Sequence, residues 1–536
     1  MEKSKYFKNT VLPTVVFSTV VGIVTGITIF IFRICAGGVI SVSEKIYSAV
    51  RETPKLLPLL IIGAALVGLV SAVILTYAKD CRGGGIPTAI ASIRGLLPLK
   101  WIQGIFFLFT TSMLTYLGGV PLGNEGPSVQ IGASVGNGTI KILNGDRSAW
   151  QRYAMTCGAC TGFAIVTGSP IAGIIFAFEE AHRRISPTIL STTLISVFIG
   201  VITHSSLCGI FSVDSEFLHL SIEKVLPAKY LYLMIILGIV AGFTSVLLTK
   251  FYNLFRKIDK MYLKHIRLAI KLPVIFALTA ALGFFNSNFI GTGHSVIEKV
   301  LSGEIVLYSL ILILLIRASM MVIANCEGVS GGLFVPTLAL GAIISAIVGY
   351  TFISIGIIES DYYAILIVSG MAAFLSASSR IPLISLVFAV ESLSGAQNVP
   401  AVGIAATAAF LVVEFSGARD FSDTVIEAKI EKAHKGEVPL IVNTFLTVMK
   451  DSFADGKDLK ELLLPPSCTV LSIDTGSSVT TRRSSHLAPG DVLHVHYSTY
   501  DNVGTTRSLC DIFGEQDPDP RTKTHPGSES HTVPID

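Results

Sequence analysis

The sequence predicts an all-α polytopic membrane protein with a small α/β cytoplasmic domain at its C-terminal end. Of its 536 residues, 51% are hydrophobic and only 14% are charged, whereas soluble domains carry roughly 25% charged residues. Several nearly uncharged runs reach the length of about 20 residues that a bilayer-spanning helix needs. Examples lie at 14–32, 56–78, 229–249, 305–325 and 334–357. The formal net charge of +3 gives no reason to expect a nucleic-acid partner.

The first apolar run follows three lysines, Lys3, Lys5 and Lys8. This run is longer than the apolar core of a signal peptide, and no small-residue cleavage site follows it. We therefore predict a first helix that is retained, with the basic N-terminus in the cytoplasm.

The apolar part of the chain contains an internal repeat. Residues 127–133 (PSVQIGA) match 336–342 (PTLALGA), and residues 170–179 (PIAGIIFAFE) match 382–391 (PLISLVFAVE). The two offsets, 209 and 212 residues, are nearly equal, so order and spacing are kept. Duplicated halves are typical of transporters, often inverted, with the substrate site where the halves meet. The halves predicted here span about 10–208 and 226–416.

Three glycine-rich segments in this region each end in a proline. They are Gly83-Gly84-Gly85-Ile86-Pro87, Gly123-Asn124-Glu125-Gly126-Pro127 and Gly331-Gly332-Leu333-Phe334-Val335-Pro336. Proline is tolerated in a first helical turn, and glycine lets a backbone approach an ion closely. Three converging helix N-termini would offer backbone amides and a positive partial charge, with no full positive charge, which suits a small halide. The alternative is that the segments are ordinary kinks and close helix contacts.

Glu125 lies within the second of these segments, in apolar surroundings. A carboxylate in hydrocarbon costs on the order of 3 kcal/mol. Placed beside a helix N-terminus, this carboxylate would compete with an anion for the same position.

The C-terminal part changes in composition after about residue 416. Residues 417–434 indicate a polar amphipathic helix, and 435–457 indicate a linker. Residues 458–515 indicate a small soluble domain with short strands at Cys468–Ile473 and Val492–Tyr497. Residues 516–536 are almost without apolar side chains, which predicts a disordered tail.

Neither a metal site nor an enzyme is predicted. Cys157-Gly158-Ala159-Cys160 has no second pair, and small residues at a helix contact explain it better. His494-x-His496 has no third ligand at a suitable spacing, and a half-exposed strand explains it better. The membrane part offers no nucleophile–base pair for a membrane-embedded enzyme.

The three glycine–proline segments resemble the signatures G-S-G-I-P, G-K/R-E-G-P and G-x-F-x-P of the CLC family of chloride channels and proton/chloride antiporters. Their order and separations fit, and the resemblance covers roughly residues 1–434. It implies a homodimer of α-helical subunits with inverted repeats of broken and tilted helices, an anion pathway in each subunit, and both termini in the cytoplasm. The first segment would contribute Gly83, Gly84, Gly85, Ile86 and Pro87 to the anion site, and the second Gly123, Asn124 and Gly126. The third would contribute Gly332, Leu333, Phe334 and Val335, with amides near Leu333 and Phe334 as donors to a central chloride.

The resemblance also assigns the proton path. Glu125 takes the place of the gating glutamate, which competes with the anion when ionised and swings away when protonated. Glu180 matches the internal proton glutamate of the antiporters, where channel members usually lack an acid, and Glu179 beside it is a candidate helper. From the residues alone, a solvated helix end is an alternative for both acids.

Three departures weaken the resemblance at the anion site. Gly84 replaces the signature serine, and Phe421 replaces the tyrosine at the inner end of the pathway, so two hydroxyl donors are lost. Each such bond to a charged partner is worth roughly 1.5–3 kcal/mol. Asn124 replaces a lysine or arginine. We therefore expect weaker chloride binding, and the preference among chloride, nitrate, bromide and fluoride stays open.

Residues 464–473 and 488–493 resemble the TrkA-C module of potassium-conductance regulators, with a proline turn, a strand and a P-G-D-x-L turn. This resemblance implies a small α/β domain with a site for a regulatory small ligand. No other cofactor is expected.

Together these features predict a multi-pass proton-coupled anion antiporter of the cell (inner or plasma) membrane that transports chloride and protons. The alternatives are a passive voltage- or pH-gated anion channel and a fluoride- or nitrate-preferring exchanger of the same family. A sensor whose essential part is residues 458–513 is a further alternative.

Overall fold

The computed structural model describes residues 11–83, 85–144, 148–213, 217–218, 222, 224–393, 395–476, 479–480 and 486–527. Within these residues, nine helical segments are long and apolar enough to cross a bilayer. The predicted polytopic membrane domain is thus confirmed.

The membrane domain consists of two halves, followed by one further helix. The first half contains α1 (Leu12–Glu52), α2 (Leu57–Tyr77), α3 (Ile86–Ile93), α4 (Trp101–Leu117), α5 (Glu125–Asn144), α6 (Gln151–Thr167), α7 (Pro170–Phe176) and α8 (Pro187–Phe211). A π-helical turn, Ala177–Ala181, continues α7. The second half contains α9 (Leu231–Ile258), α10 (Leu268–Phe285), α11 (His294–Leu301), α12 (Leu307–Glu327), α13 (Phe334–Ser354), α14 (Tyr363–Ser379), α15 (Pro382–Ser392) and α16 (Val399–Ser416). The amphipathic segment forms α17 (Phe421–Ala433).

The repeated sequence segments occupy equivalent helices. The first pair lies in the first turns of α5 and α13, and the second pair lies in α7 and α15. Each of α5 and α13 packs closely against the helix that follows it. A methyl group at Gly132 would lie 2.1 Å from the carbonyl oxygen of Gly158, and one at Gly341 would lie 3.0 Å from that of Gly370. Only small residues permit such close backbone approach in a membrane, and Gly158 is the glycine of the Cys-x-x-Cys segment.

The C-terminal domain is an antiparallel sheet with one helix. Its elements are β1 (Leu440–Thr447), β2 (Thr469–Asp474), β3 (Val479–Thr480), β4 (Val492–Thr499), α18 (Asn502–Phe513) and β5 (Lys523–Pro526), with strand order β3-β2-β4-β1-β5. Alternate side chains of β1 are buried, and the core includes Val442, Leu493, Val495, Leu509 and Phe513.

Two boundaries of this domain differ from the predictions. The predicted linker 435–457 contains β1, which occupies the interior of the sheet between β4 and β5. The predicted disordered tail 516–536 contains β5, which pairs with β1 over Leu440–Asn443. β5 has no buried side chains, so backbone pairing rather than apolar burial places it, and composition gives no sign of that. Residues 528–536 lie outside the described residues.

The C-terminal domain docks on the membrane domain through the residues that open α6 and follow the π-helical turn. Arg152 donates hydrogen bonds to the carbonyls of Leu463 and Leu464, and Arg184 donates one to that of Leu462 at 2.6 Å. The hydroxyl of Tyr153 donates to the carbonyl of Glu461. Cationic and hydroxyl donors of the membrane domain therefore satisfy the backbone carbonyls of four consecutive residues, 461–464.

Candidate functional site

The three glycine–proline segments meet in the interior of the membrane domain. Gly123 and Gly332 form a reciprocal backbone bridge, with N–H···O distances of 2.8 and 2.7 Å. A methyl group at Gly126 would lie 2.5 Å from Cα of Gly332 and 3.0 Å from Cα of Gly85. No side chain larger than hydrogen fits at such separations, because real Cβ atoms stay more than about 3 Å from backbone atoms. The glycines therefore permit three loops to touch.

Each loop leads directly into a helix N-terminus. α3 begins at Ile86, α5 at Glu125 and α13 at Phe334, each with a proline in its first turn. The first amides of a helix have no partner within the helix, and its macrodipole places positive partial charge there. The amide just before α3 is occupied, because Gly85 N–H donates to Oε1 of Gln130 at 2.8 Å. The junction thus gathers three electropositive helix ends.

The carboxylate of Glu125 lies at this junction. Its side chain is fully buried, and a methyl group on Gly123 would lie 2.4 Å from its Oε2. Among the described residues, neither of its oxygens has a partner at full hydrogen-bond geometry, and its nearby donors are the backbone amides of Asn124, Glu125 and Val335. Burying a polar group without a partner costs free energy, so packing alone does not explain a glutamate at this position.

A cavity of about 30 Å³ adjoins the junction and is large enough for a water molecule or two. It is lined by Ile86, Pro87, Glu180, Leu333, Phe334, Thr337, Leu375, Ser379, Ile381, Phe421 and Ser422. Residues predicted from the first and third segments therefore share one space with the second predicted acid and with the residue that replaces tyrosine.

Glu180 is the acidic residue of this cavity. It is 5% exposed, and its Oε1 accepts a hydrogen bond from the hydroxyl of Ser422 at 3.3 Å. Arg94 holds its backbone in place by donating to its carbonyl oxygen at 2.7 Å. Ser422 was not anticipated from the sequence; its only signal is that it follows Phe421 in the first turn of α17.

Phe421 forms part of the cavity wall. Its side chain is 2% exposed and packs edge-to-face on Tyr252, with ring centroids 5.4 Å apart. The edge of the phenyl ring of Phe421 therefore occupies the position where the resemblance predicts a hydroxyl group.

Glu179 lies next to Glu180 but does not line the cavity. Its carboxylate accepts hydrogen bonds from Leu383 N–H and Ile384 N–H, at 2.8 and 2.6 Å, in the first turn of α15. The structure thus places Glu179 at a helix cap, and its role as a helper in proton transfer stays a prediction. Its repeat mate Glu391 does the same for α7, accepting from Ile171 N–H at 3.0 Å.

A lysine that the sequence reasoning missed lies beside the first segment. The ammonium group of Lys429 in α17 donates to the carbonyl oxygens of Arg82 and Gly83 and to the hydroxyl of Thr88. The expectation of no full positive charge near the segments is therefore wrong. Lys429 is more than three hundred residues from these partners in the chain, so no local pattern could reveal the contact.

The remaining predicted residues lie around the junction. Gly83 precedes α3 and donates its N–H to the carbonyl of Gly328 at 2.9 Å. Asn124 precedes α5 and accepts from Ser128 N–H at 3.1 Å through its carbonyl oxygen. Val335 is the second residue of α13 and is fully buried. Gly84 lies outside the described residues.

Comparisons with known proteins agree with this geometry. The family model described as "Voltage gated chloride channel" matches residues 63–414, more than half of the chain. A slow cyanobacterial Cl⁻/H⁺ antiporter structure is similar with a TM-score of 0.71 and 22% identity, covering 78% of this chain and 98% of its own.

Two further solved structures share the fold. A eukaryotic CLC transporter has a TM-score of 0.64 at 19% identity, covering 78% of this chain and 74% of its own. A CLC-type fluoride/proton antiporter has a TM-score of 0.64 at 19% identity, covering 77% of this chain and 98% of its own. At these identities the structural likeness establishes the fold.

Proposed function

Because this chain belongs to the voltage-gated chloride channel family, we propose that it is a proton-coupled anion antiporter, with chloride as its most favoured anion. One observation carries the proposal. A buried carboxylate, Glu125, lies among three helix N-termini, and a second acid, Glu180, lines the cavity that adjoins them.

The mechanism is competition between an anion and the Glu125 carboxylate for the positive end of α5 and its neighbours. The ionised carboxylate occupies the junction, because helix N-termini attract negative charge. Protonation removes that attraction, so the side chain leaves and an anion takes its place. Because the donors are amide dipoles, the anion is held weakly enough to move on.

Glu180 supplies the inner proton. It shares the cavity with Phe334 and Phe421, so a proton on its carboxyl group is near the anion route without lying on the cytoplasmic surface. The apolar lining limits water in this space, which prevents protons from leaking past the anion.

Proton-coupled transport is tested by flux from proteoliposomes. An outward chloride gradient should drive uphill proton movement in the wild type. Glu125→Gln and Glu180→Gln should both abolish proton movement while keeping anion flux. Chloride flux without any proton movement in the wild type would contradict antiport.

A passive voltage- or pH-gated anion channel is the second candidate, and the hydrocarbon edge of Phe421 favours it. With one hydroxyl donor replaced, the inner end of the pathway binds an anion less tightly, so anion flux without proton exchange becomes easier. The same loss supports a fluoride- or nitrate-preferring exchanger, and one structural neighbour is described as a fluoride/proton antiporter. Parallel flux assays with chloride, nitrate and fluoride distinguish these cases.

We further propose a homodimer in the cell (inner or plasma) membrane, with both termini in the cytoplasm and the C-terminal domain in a regulatory role as a TrkA-C-like, ligand-binding domain. Deleting the domain should change regulation and leave transport intact, whereas loss of all transport would favour the sensor alternative.

A further inference from the structure

A histidine lies beside the gating carboxylate. Nε2 of His294 is 3.9 Å from Oε1 of Glu125. The two side chains differ in access, since that of His294 is 27% exposed and that of Glu125 is fully buried. His294 is therefore the more accessible of these two ionisable groups.

The ring of His294 is held in a defined orientation. Its Nδ1 is 3.1 Å from the hydroxyl of Thr292, and its face meets the edge of Phe217 at a centroid distance of 5.1 Å. Nε2 remains directed to Glu125. Since 3.9 Å exceeds hydrogen-bond length, one rotation of the carboxylate or one bridging water closes the gap.

The charges around the ring suit a transient proton carrier. Burial of the ring and the nearby charges of Arg33 of α1 and Arg317 of α12 oppose a lasting positive charge on the imidazole. Ionised Glu125, on α5, favours that charge. An imidazolium at this position is therefore short-lived and transfers its proton to the carboxylate.

His294 lies beside Glu125, at the end of α5 that is away from the C-terminal domain. α5 begins at Glu125 and ends at Asn144, just before Trp150, which packs on Phe453 of the C-terminal domain at 4.8 Å. A helix of this length spans about 30 Å. The proton that passes through His294 therefore comes from the side opposite to the one that Glu180 serves.

We propose that His294 relays protons between Glu125 and the solution on the side away from the C-terminal domain. Solvent protonates the imidazole; the Nε2–H bond then breaks as an O–H bond forms at Oε1 of Glu125. The products are a neutral imidazole and a neutral carboxylic acid, and the reverse sequence returns the proton. This inference rests on the proposed function, because it supplies the outer proton step of antiport.

The test compares His294→Phe, which keeps an aromatic ring against Phe217, with the wild type in proteoliposomes. Removing a positioned proton carrier should lower proton and chloride flux together by about tenfold or more. The ratio of protons to anions should stay that of the wild type, in contrast to Glu125→Gln. The dependence of the rate on pH should flatten below about pH 6.5, the usual midpoint for imidazole, because burial and the charges of Arg33 and Arg317 lower the pKa of this ring. His265→Phe, at an exposed histidine between α9 and α10, is the matched control and should have no effect.

Chemical rescue separates proton relay from packing. His294→Ala leaves space for a free imidazole, so added imidazole should restore flux in His294→Ala and not in His294→Phe. Wild-type flux and an unchanged pH profile in His294→Phe, or failure of imidazole to restore His294→Ala, would overturn the relay. If the wild type moves chloride without protons, antiport fails, and the relay is then judged by whether His294→Phe flattens the pH dependence of chloride flux.

Discussion

At the level of single residues, the proposed function makes the cavity wall decide how tightly an anion is bound. The hydroxyl groups on that wall belong to Thr337, Ser379 and Ser422, and the hydroxyl of Thr337 is directed back to the carbonyl of Phe334 at 2.7 Å. Ser422 is engaged with Glu180. Few side-chain donors are therefore free for an anion, and the dipoles of the helix ends must do most of the binding.

Phe421→Tyr should strengthen chloride binding, because it returns a hydroxyl donor to the wall. A hydrogen bond to a charged partner contributes about 1.5–3 kcal/mol, so the dissociation constant should fall by about tenfold or more. Calorimetric titration of detergent-solubilised protein with chloride measures this. Phe415→Tyr, at a side chain that is 84% exposed, makes the same chemical change away from the cavity and should bind as the wild type does. Equal affinity in Phe421→Tyr and wild type would show that the ring edge does not face the bound anion.

At the level of secondary-structure elements, the two halves cap each other's short helices. Glu391 of the second half accepts hydrogen bonds at the start of α7, and Glu179 of the first half accepts them at the start of α15. A negative group at a helix N-terminus satisfies free amides and interacts favourably with the dipole. The exchange of caps therefore joins the repeats around the site.

Glu179→Gln should destabilise the protein by about 1–2 kcal/mol, the typical cost of a lost N-cap. Its proton-to-chloride ratio should stay normal, since Glu179 does not line the cavity. Thermal unfolding in detergent and coupled flux in liposomes measure the two properties. Glu180→Gln, one residue along, should behave in the opposite way, with near-normal stability and lost coupling. If Glu179→Gln loses coupling at an unchanged melting temperature, Glu179 takes part in proton transfer.

The elements differed in how well the sequence foretold them. Starts of α3, α5 and α13 follow from glycine and proline, because these residues act on the local backbone. β1 was missed because its flanks, such as Lys435 and Glu437, suggested a linker, whereas pairing with distant β4 and β5 places it inside the sheet. His294 and Lys429 were missed for the same reason: each reaches the site across a large separation in the chain.

At the level of the whole molecule, the C-terminal domain is connected to the backbone of Glu180, the acid proposed to supply the inner proton. Arg152 binds the carbonyls of Leu463 and Leu464 and also that of Ile93. The next residue, Arg94, donates to the carbonyls of Glu180 and Ala181. The position of the soluble domain is thus linked through two arginines to the backbone of Glu180.

Replacing Arg152 and Arg184 together by alanine should loosen the docked domain. Each loss leaves buried carbonyls unpaired, at a cost of about 1–3 kcal/mol. Trypsin should then cut faster after Lys435, in the exposed segment between α17 and β1, and the time course of cleavage measures this. Arg267→Ala, at an exposed arginine before α10, should cleave as the wild type does. Identical cleavage of the double variant would mean that other contacts hold the domain.

The reciprocal bridge between Gly123 and Gly332 has a consequence for biogenesis. The ribosome must add roughly two hundred residues after the first glycine before the second is made. During that interval Glu125, the proposed gate, is already in the polypeptide, but the loop that packs against it is still to be synthesised. The junction is therefore completed late in translation, and a nascent chain released before residue 336 would carry Glu125 without its opposite wall.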